Sequence, residues 1–156
     1  MRLRPLAAAF AVALAARAAA AQTPDLTGRW EVDAARSDFA RATPPAKLVM
    51  TVEQTATTFA FTQTVGAPGG ERSARQAYTL DGREQAQPAP DGITVTGSAR
   101  AADGGITVDA TIVRGGTPTR QTSRWTLSPD GKTMTLEQQV ETPNGPARLK
   151  LVFDRK

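Results

Sequence analysis

From Lys47 to the end of the chain, apolar side chains recur at every second position. Leu48, Met50 and Val52 are followed by Phe59, Phe61 and Val65, then Ala74, Tyr78 and Leu80, then Ile93 and Val95. Ile106, Val108, Ala110 and Ile112 come next, then Trp125 and Leu127, Met134, Leu136 and Val140, and finally Leu149, Leu151 and Phe153. A period of two puts each set on one face of an extended strand. The intervening positions are mostly Thr, Arg, Lys, Gln and Glu. One face is therefore buried and the other wet, the habit of antiparallel rather than parallel sheets.

Turn residues fall between the runs: Ala67-Pro-Gly-Gly70, Asp81-Gly82, Asp91-Gly92, Asp103-Gly-Gly105, Gly115-Gly116, Pro129-Asp-Gly131 and Pro143-Asn-Gly145. Each tolerates positive φ or presets a turn. The pattern predicts strands near 27–33, 46–54, 57–65, 71–80, 92–100, 105–114, 118–128, 132–141 and 146–154, with a further short strand near 83–87. Three hairpins form a weak repeat, around Gly69-Gly70, Gly115-Gly116 and Asn144-Gly145. Each has an arginine soon after the turn (Arg72, Arg120, Arg148) and a bulky residue before the next turn. Similar hairpins laid side by side must bury one face and deal with their edges, and closing into a barrel does both. Between the first two strands, Ala34 to Phe39 permits a helical turn, and Thr43-Pro-Pro45 ends it. This stretch is expected to form a connection or lid.

The N-terminus reads differently. A basic start (Arg2, Arg4), a short apolar run over Leu6–Ala16 and a small-residue site at Ala19-Ala20-Ala21 have the form of a secretory signal peptide. Residues 1–21 are read as that signal and 22–156 as one domain, placing the mature protein in the periplasm or outside the cell. The apolar run is too short to cross a bilayer and Arg17 interrupts it. Cleavage removes Arg2, Arg4 and Arg17 and no acid, so the formal charge of +4 falls close to neutral. A nucleic-acid partner loses its support, since that needs a clustered basic face.

Absences limit the chemistry further. The chain has 0 Cys and 0 His among its 156 residues. Disulfides, thiolate nucleophiles and Cys-bound zinc are excluded, and so are the commonest general base and metal ligand. Asp33, Asp38, Glu53, Glu71, Asp109 and Glu137 show no catalytic spacing, and Glu53, Asp109 and Glu137 fall on the wet phase. Asp103-Gly-Gly105 lacks the acids of a calcium loop. No catalytic residue, cofactor or metal site is assigned, and the chain is read as a non-enzyme.

The first strand carries Leu26-Thr-Gly28-Arg-Trp30-Glu-Val-Asp33, followed by Arg36-Ser-Asp-Phe39, and the chain ends Leu151-Val-Phe-Asp-Arg155. Gly28 two residues before Trp30 resembles the lipocalin signature. In that signature the glycine permits close approach, the tryptophan plugs the closed end, and a basic residue near the last strand covers it. The resemblance offers Arg155 for that role, with Arg148 as the other candidate. With its Pro-rich link and Thr-rich hairpins, the whole frame from Leu26 onward is similar to small secreted bacterial lipocalin-like (calycin-type) proteins of unassigned function. It departs from lipocalins in lacking a disulfide and a long C-terminal helix. The resulting expectation is an all-β, antiparallel up-and-down (meander) barrel of eight to ten strands.

Several amides sit on the apolar phase: Gln63, Gln76, Gln121 and Gln138, together with Ser123 and Tyr78. If the short strand near 83–87 exists, the four glutamines and Ser123 share one end of the barrel with the small Ala74 and Ala147, and Phe59, Tyr78, Trp125, Met134 and Phe153 gather toward the other. Without it the parity flips and the cluster divides. A barrel with one packed and one polar-lined end can hold a ligand at its mouth, and glutamine offers both donor and acceptor. These six residues are the candidate ligand-binding set for a small apolar or amphipathic molecule. A carrier of this kind needs an interior space of roughly 300 Å³ or more. The alternative is a filled barrel whose outer faces or loops bind a protein or glycan.

Overall fold

The computed structural model describes residues 22–156; the signal-peptide assignment lies outside the described residues. Ten antiparallel strands run β1 (Gly28–Val32), β2 (Leu48–Gln54), β3 (Thr58–Ala67), β4 (Gly70–Thr79), β5 (Gln85–Gln87), β6 (Ile93–Ala102), β7 (Gly105–Arg114), β8 (Thr117–Leu127), β9 (Thr133–Thr142) and β10 (Gly145–Arg155). Their order in the sheet is β4-β3-β2-β1-β10-β9-β8-β7-β6-β5, and β4 returns against β5 and β6 to close the ring. This is an up-and-down barrel in which the chain ends meet in the wall, with Trp30 opposite Arg155 and Val32 opposite Phe153. The short strand near 83–87 is present as β5.

Register places the alternating apolar set inside. Trp125 stands opposite Ile106 on one side and Leu136 on the other, and Leu136 opposite Leu151. Phe59 stands opposite Tyr78. The core is concentrated at one end, where Trp30, Phe59, Ile106, Met134 and Phe153 are completely buried. Phe59, Phe61 and Trp125 meet in a three-ring cluster with centroids 4.8–5.7 Å apart, in the tilted and edge-on geometries that aromatic rings favour. Removing any one of these large side chains would cost about 3–5 kcal/mol.

The other end is the mouth. The turns of all three repeat hairpins lie there, joining β3 to β4, β7 to β8 and β9 to β10, and so does the connection from β1 to β2. That connection begins with a single 3-10 turn, Ala34–Arg36. Asp33 caps it, its carboxylate accepting from the backbone N–H of Ala35 (3.0 Å) and Arg36 (3.2 Å). The chain then bridges β10 through a reciprocal pair of backbone bonds between Asp38 and Lys150, 2.7 and 2.9 Å, and buries Phe39 in the core. The expected lid is therefore a short strap fixed at one side of the mouth.

The closed end is sealed by the residues before β1. Leu26 is fully buried there. Its N–H donates to Gln54 Oε1 (3.0 Å), while Gln54 Nε2 donates to the Pro24 carbonyl (2.7 Å). One side-chain amide thus performs the donor-and-acceptor work of a strand residue.

Candidate functional site

Trp30 carries the floor. Its Nε1 donates to the Leu26 carbonyl (2.8 Å), and the Arg155 guanidinium lies 4.2 Å from its ring centroid, a cation–π distance. Arg155 is held in place by bonds to the carbonyls of Thr27 (2.7 Å) and Gly131 (2.9 Å). Gly28 makes room for it. At φ +141° this residue has a backbone that side chains avoid, and a Cβ there would come within 2.8 Å of Arg155 Nη1. Arg148, the other arginine considered, faces outward and bonds Gln139 (3.3 Å).

Above the floor the inner wall turns polar. All six candidate residues lie on its inner phase, in two groups. On β8 and β9, Gln121 Nε2 donates to Ser123 Oγ (3.4 Å), and Ser123 stands opposite Gln138. On β3 and β4, the Tyr78 hydroxyl donates to Gln76 Oε1 (2.6 Å), and Gln63 stands opposite Ala74. Each of these hydrogen bonds stays within one strand. The groups meet through aromatic rings, because Phe61, opposite Gln76, packs on Trp125.

Ser123 and Tyr78 are buried, whereas Gln63, Gln76, Gln121 and Gln138 are half-buried. Closer to the rim, Val65, Ile112, Val140, Ala147 and Leu149 are half-buried and Ala74 is exposed, although all share the inner phase. The barrel is thus packed below and partly open above. Arg72 and Arg114 end the inner phase at the rim, both exposed. Beside the rim, a cleft of about 540 Å³ lies between the strap (Asp38, Ala40, Arg41) and the β9–β10 turn (Thr142, Asn144, Ala147). A second cleft, about 430 Å³, lies on the outer wall and is lined by Thr122, Arg124, Glu137, Gln139, Arg148 and Lys150.

One interface is built differently from the others. Between β4 and β5, side chains replace the backbone ladder. Gln87 accepts from the Ala77 N–H at Oε1 (2.8 Å) and donates to the Ala77 carbonyl from Nε2 (2.9 Å). Gln85 Oε1 accepts from the Thr79 N–H (2.7 Å). Inside this seam the Tyr78 hydroxyl lies against Gly97, where a Cβ would be 3.1 Å from it and 2.7 Å from the Asp109 carbonyl. Burial pushes the Tyr78 hydroxyl up to about 12, so it stays neutral. Sequence reasoning missed these two glutamines. The available signal was two amides, two apart, in a run too short for strand periodicity to register.

The carboxylates stand on the outside. Glu53 pairs with Arg75 (2.5 Å) and Asp109 with Arg100 (3.1 Å). Among the described residues, no cluster of acidic side chains is grouped to hold a metal ion.

No family profile and no curated protein matches the sequence. Solved structures do match its shape. One is zebrafish ileal bile acid-binding protein complexed with cholic acid: TM-score 0.57, 17% identity, covering 83% of this chain and 98% of the other. Another is a secretory abundant heat soluble protein from Ramazzottius varieornatus: TM-score 0.61, 9% identity, covering 88% of this chain and 99% of the other. The likeness is one of fold: this chain is an all-β, antiparallel up-and-down barrel, lipocalin-like in architecture.

Proposed function

We propose that this protein binds a small, partly apolar molecule in the mouth-side half of its barrel, beside the strap, and that it does so outside the cytoplasm after cleavage behind Ala21. The observation that carries the reading is the division of the interior. A floor of buried aromatic rings gives way to a half-open wall bearing Gln63, Gln76, Gln121 and Gln138. A barrel filled for packing alone would not set a belt of amides between its aromatic floor and the apolar side chains nearer the rim, nor leave both half-exposed. That a protein of this fold is complexed with cholic acid supports the assignment. The N-terminal pattern supports export. The outward, ion-paired carboxylates and the lack of His and Cys support binding rather than catalysis.

Native mass spectrometry of the protein purified from its own host tests this. The expected spectrum shows a chain beginning at Gln22 together with a small-molecule adduct lost on collisional activation. A bare chain that also fails to bind apolar fluorophores saturably would overturn the binding assignment. A chain retaining residues 1–21 would overturn export.

The outer-wall cleft favours a second reading. Its mixed Thr, Arg and Glu lining suits a protein or glycan surface, and on that reading the mouth is merely hydrated.

A further inference from the structure

The polarity of the inner wall is fixed by which atoms are already engaged. The Tyr78 hydroxyl occupies Gln76 Oε1, so Gln76 presents its Nε2 hydrogens. Ser123 Oγ accepts from Gln121 and is left to donate its own hydrogen. Trp125 has only a hydrogen to give. Its side chain is buried, with 2% of the residue exposed, and Nε1 has no acceptor among the described residues. A buried donor without a partner is uncommon and unfavourable. Trp125 stands two residues below Ser123 on the same inner phase and packs on Phe61, which is the cross-strand neighbour of Gln76. Three donors therefore lie where the aromatic floor meets the half-open wall.

Charge is missing from the same zone. Among the described residues, strand Lys, Arg, Asp and Glu side chains are on the outer phase, with three exceptions. Arg72 and Arg114 are at the rim, and Arg155 covers Trp30 at the opposite end. A carboxylate carried down to Trp125 would lose its hydration and meet no cation, which is costly. Rim arginines in water discriminate poorly, since exposed pairs are weak and screened.

Resting on the small-molecule reading above, we infer that the ligand's buried end is uncharged and carries a hydrogen-bond acceptor, such as a ketone, ester or amide carbonyl. Trp125 Nε1, Ser123 Oγ and Gln76 Nε2 are the groups that read it. The site selects against a carboxylate at that depth.

A matched pair of fluorophores tests this. Prodan is a neutral dimethylaminonaphthalene ketone; the corresponding naphthoate replaces the ketone with a carboxylate. At about pH 8, where the naphthoate is ionised, the ketone is expected to bind at least about ten-fold more tightly. Trp125→Phe keeps a ring but removes the N–H. It should weaken ketone binding about five-fold and blue-shift the bound ketone's emission, while dimethylaminonaphthalene, which has no carbonyl, binds as before. Should Trp125→Phe fail to fold, Ser123→Ala gives the same comparison. Equal or tighter binding of the naphthoate overturns this inference and leaves the small-molecule reading standing. So does ketone binding indifferent to both substitutions. Failure of all three fluorophores to bind overturns both.

Discussion

At the residue scale the molecule depends on Trp30. The ring is completely buried, its N–H is spent on Leu26, and Arg155 covers its outer face. Trp30→Ala is expected to lower stability by about 3–5 kcal/mol and Arg155→Ala by about 1–2 kcal/mol, read from urea midpoints. An unchanged midpoint for Trp30→Ala would contradict its place in the floor. The trio Gly28, Trp30 and Arg155 could be read in the sequence because spacing and chain position carry it. The unengaged N–H of Trp125 could not. Whether a buried donor is satisfied depends on what the other strands bring near it, and no local pattern records that.

At the scale of elements the weak point is the seam between β4 and β5. Elsewhere in the ring neighbouring strands share backbone ladders, up to ten paired positions long. Here Gln85 and Gln87 supply the partners for Thr79 and Ala77. Gln87→Leu removes both bonds to Ala77 and should cost about 1–3 kcal/mol. Hydrogen exchange gives the sharper reading. Protection of the Ala77 amide should drop about ten-fold, with the β9–β10 amides unchanged apart from the global loss. Unaltered Ala77 exchange would show that the amide of Gln87 does not hold the seam. Toward the mouth, β4 is an edge carrying Glu71, Arg72 and Arg75, all exposed. Charges on an edge, one of them on the inward phase, discourage another chain from pairing there. Eight long strands were legible because alternation over many residues is a strong signal. The phase of the amides turned on β5, three residues long, whose existence is decided by tertiary pairing with Val95 to Gly97.

At the scale of the whole molecule, stability should vary little between about pH 5 and 9, because there is no histidine or cysteine to titrate. Acid should weaken it. The Thr79 hydroxyl, with Arg83, holds Asp81 down at about 2 against an ordinary 3.8. Bonds from Arg36 to Asp33, Lys47 to Glu71 and Ser128 to Asp130 also lower those carboxyls. A group lowered in the folded state stabilises above its unfolded value and loses that contribution as pH falls, here from about 4 towards 2. Tyr78 has the opposite sign. Raised by burial from 10.0 to about 12, it stabilises fully below pH 10, and that contribution disappears as pH rises toward 12. Across that interval the wild type should lose up to roughly 2 kcal/mol relative to Tyr78→Phe. Parallel alkaline limbs for the two proteins would count against a buried hydroxyl.

The seam also sets the relation between order along the chain and order around the ring. β4 and β5 are consecutive in sequence, yet theirs is the boundary without a ladder, while β1 and β10, at opposite ends of the described chain, share one from Trp30 to Val32. The Lys156 N–H already reaches the Arg29 carbonyl (2.9 Å). A circular permutant that joins the end of β10 to the start of β1 and begins at Glu84 would read β5 through β10, then β1 through β4. Every laddered strand pair would then be adjacent in sequence, and the closure that spans the domain would move from a backbone ladder to the side-chain seam between β4 and β5. In the natural order the β1–β10 pairing spans almost the entire domain, the arrangement that lowers the speed at which a β protein folds.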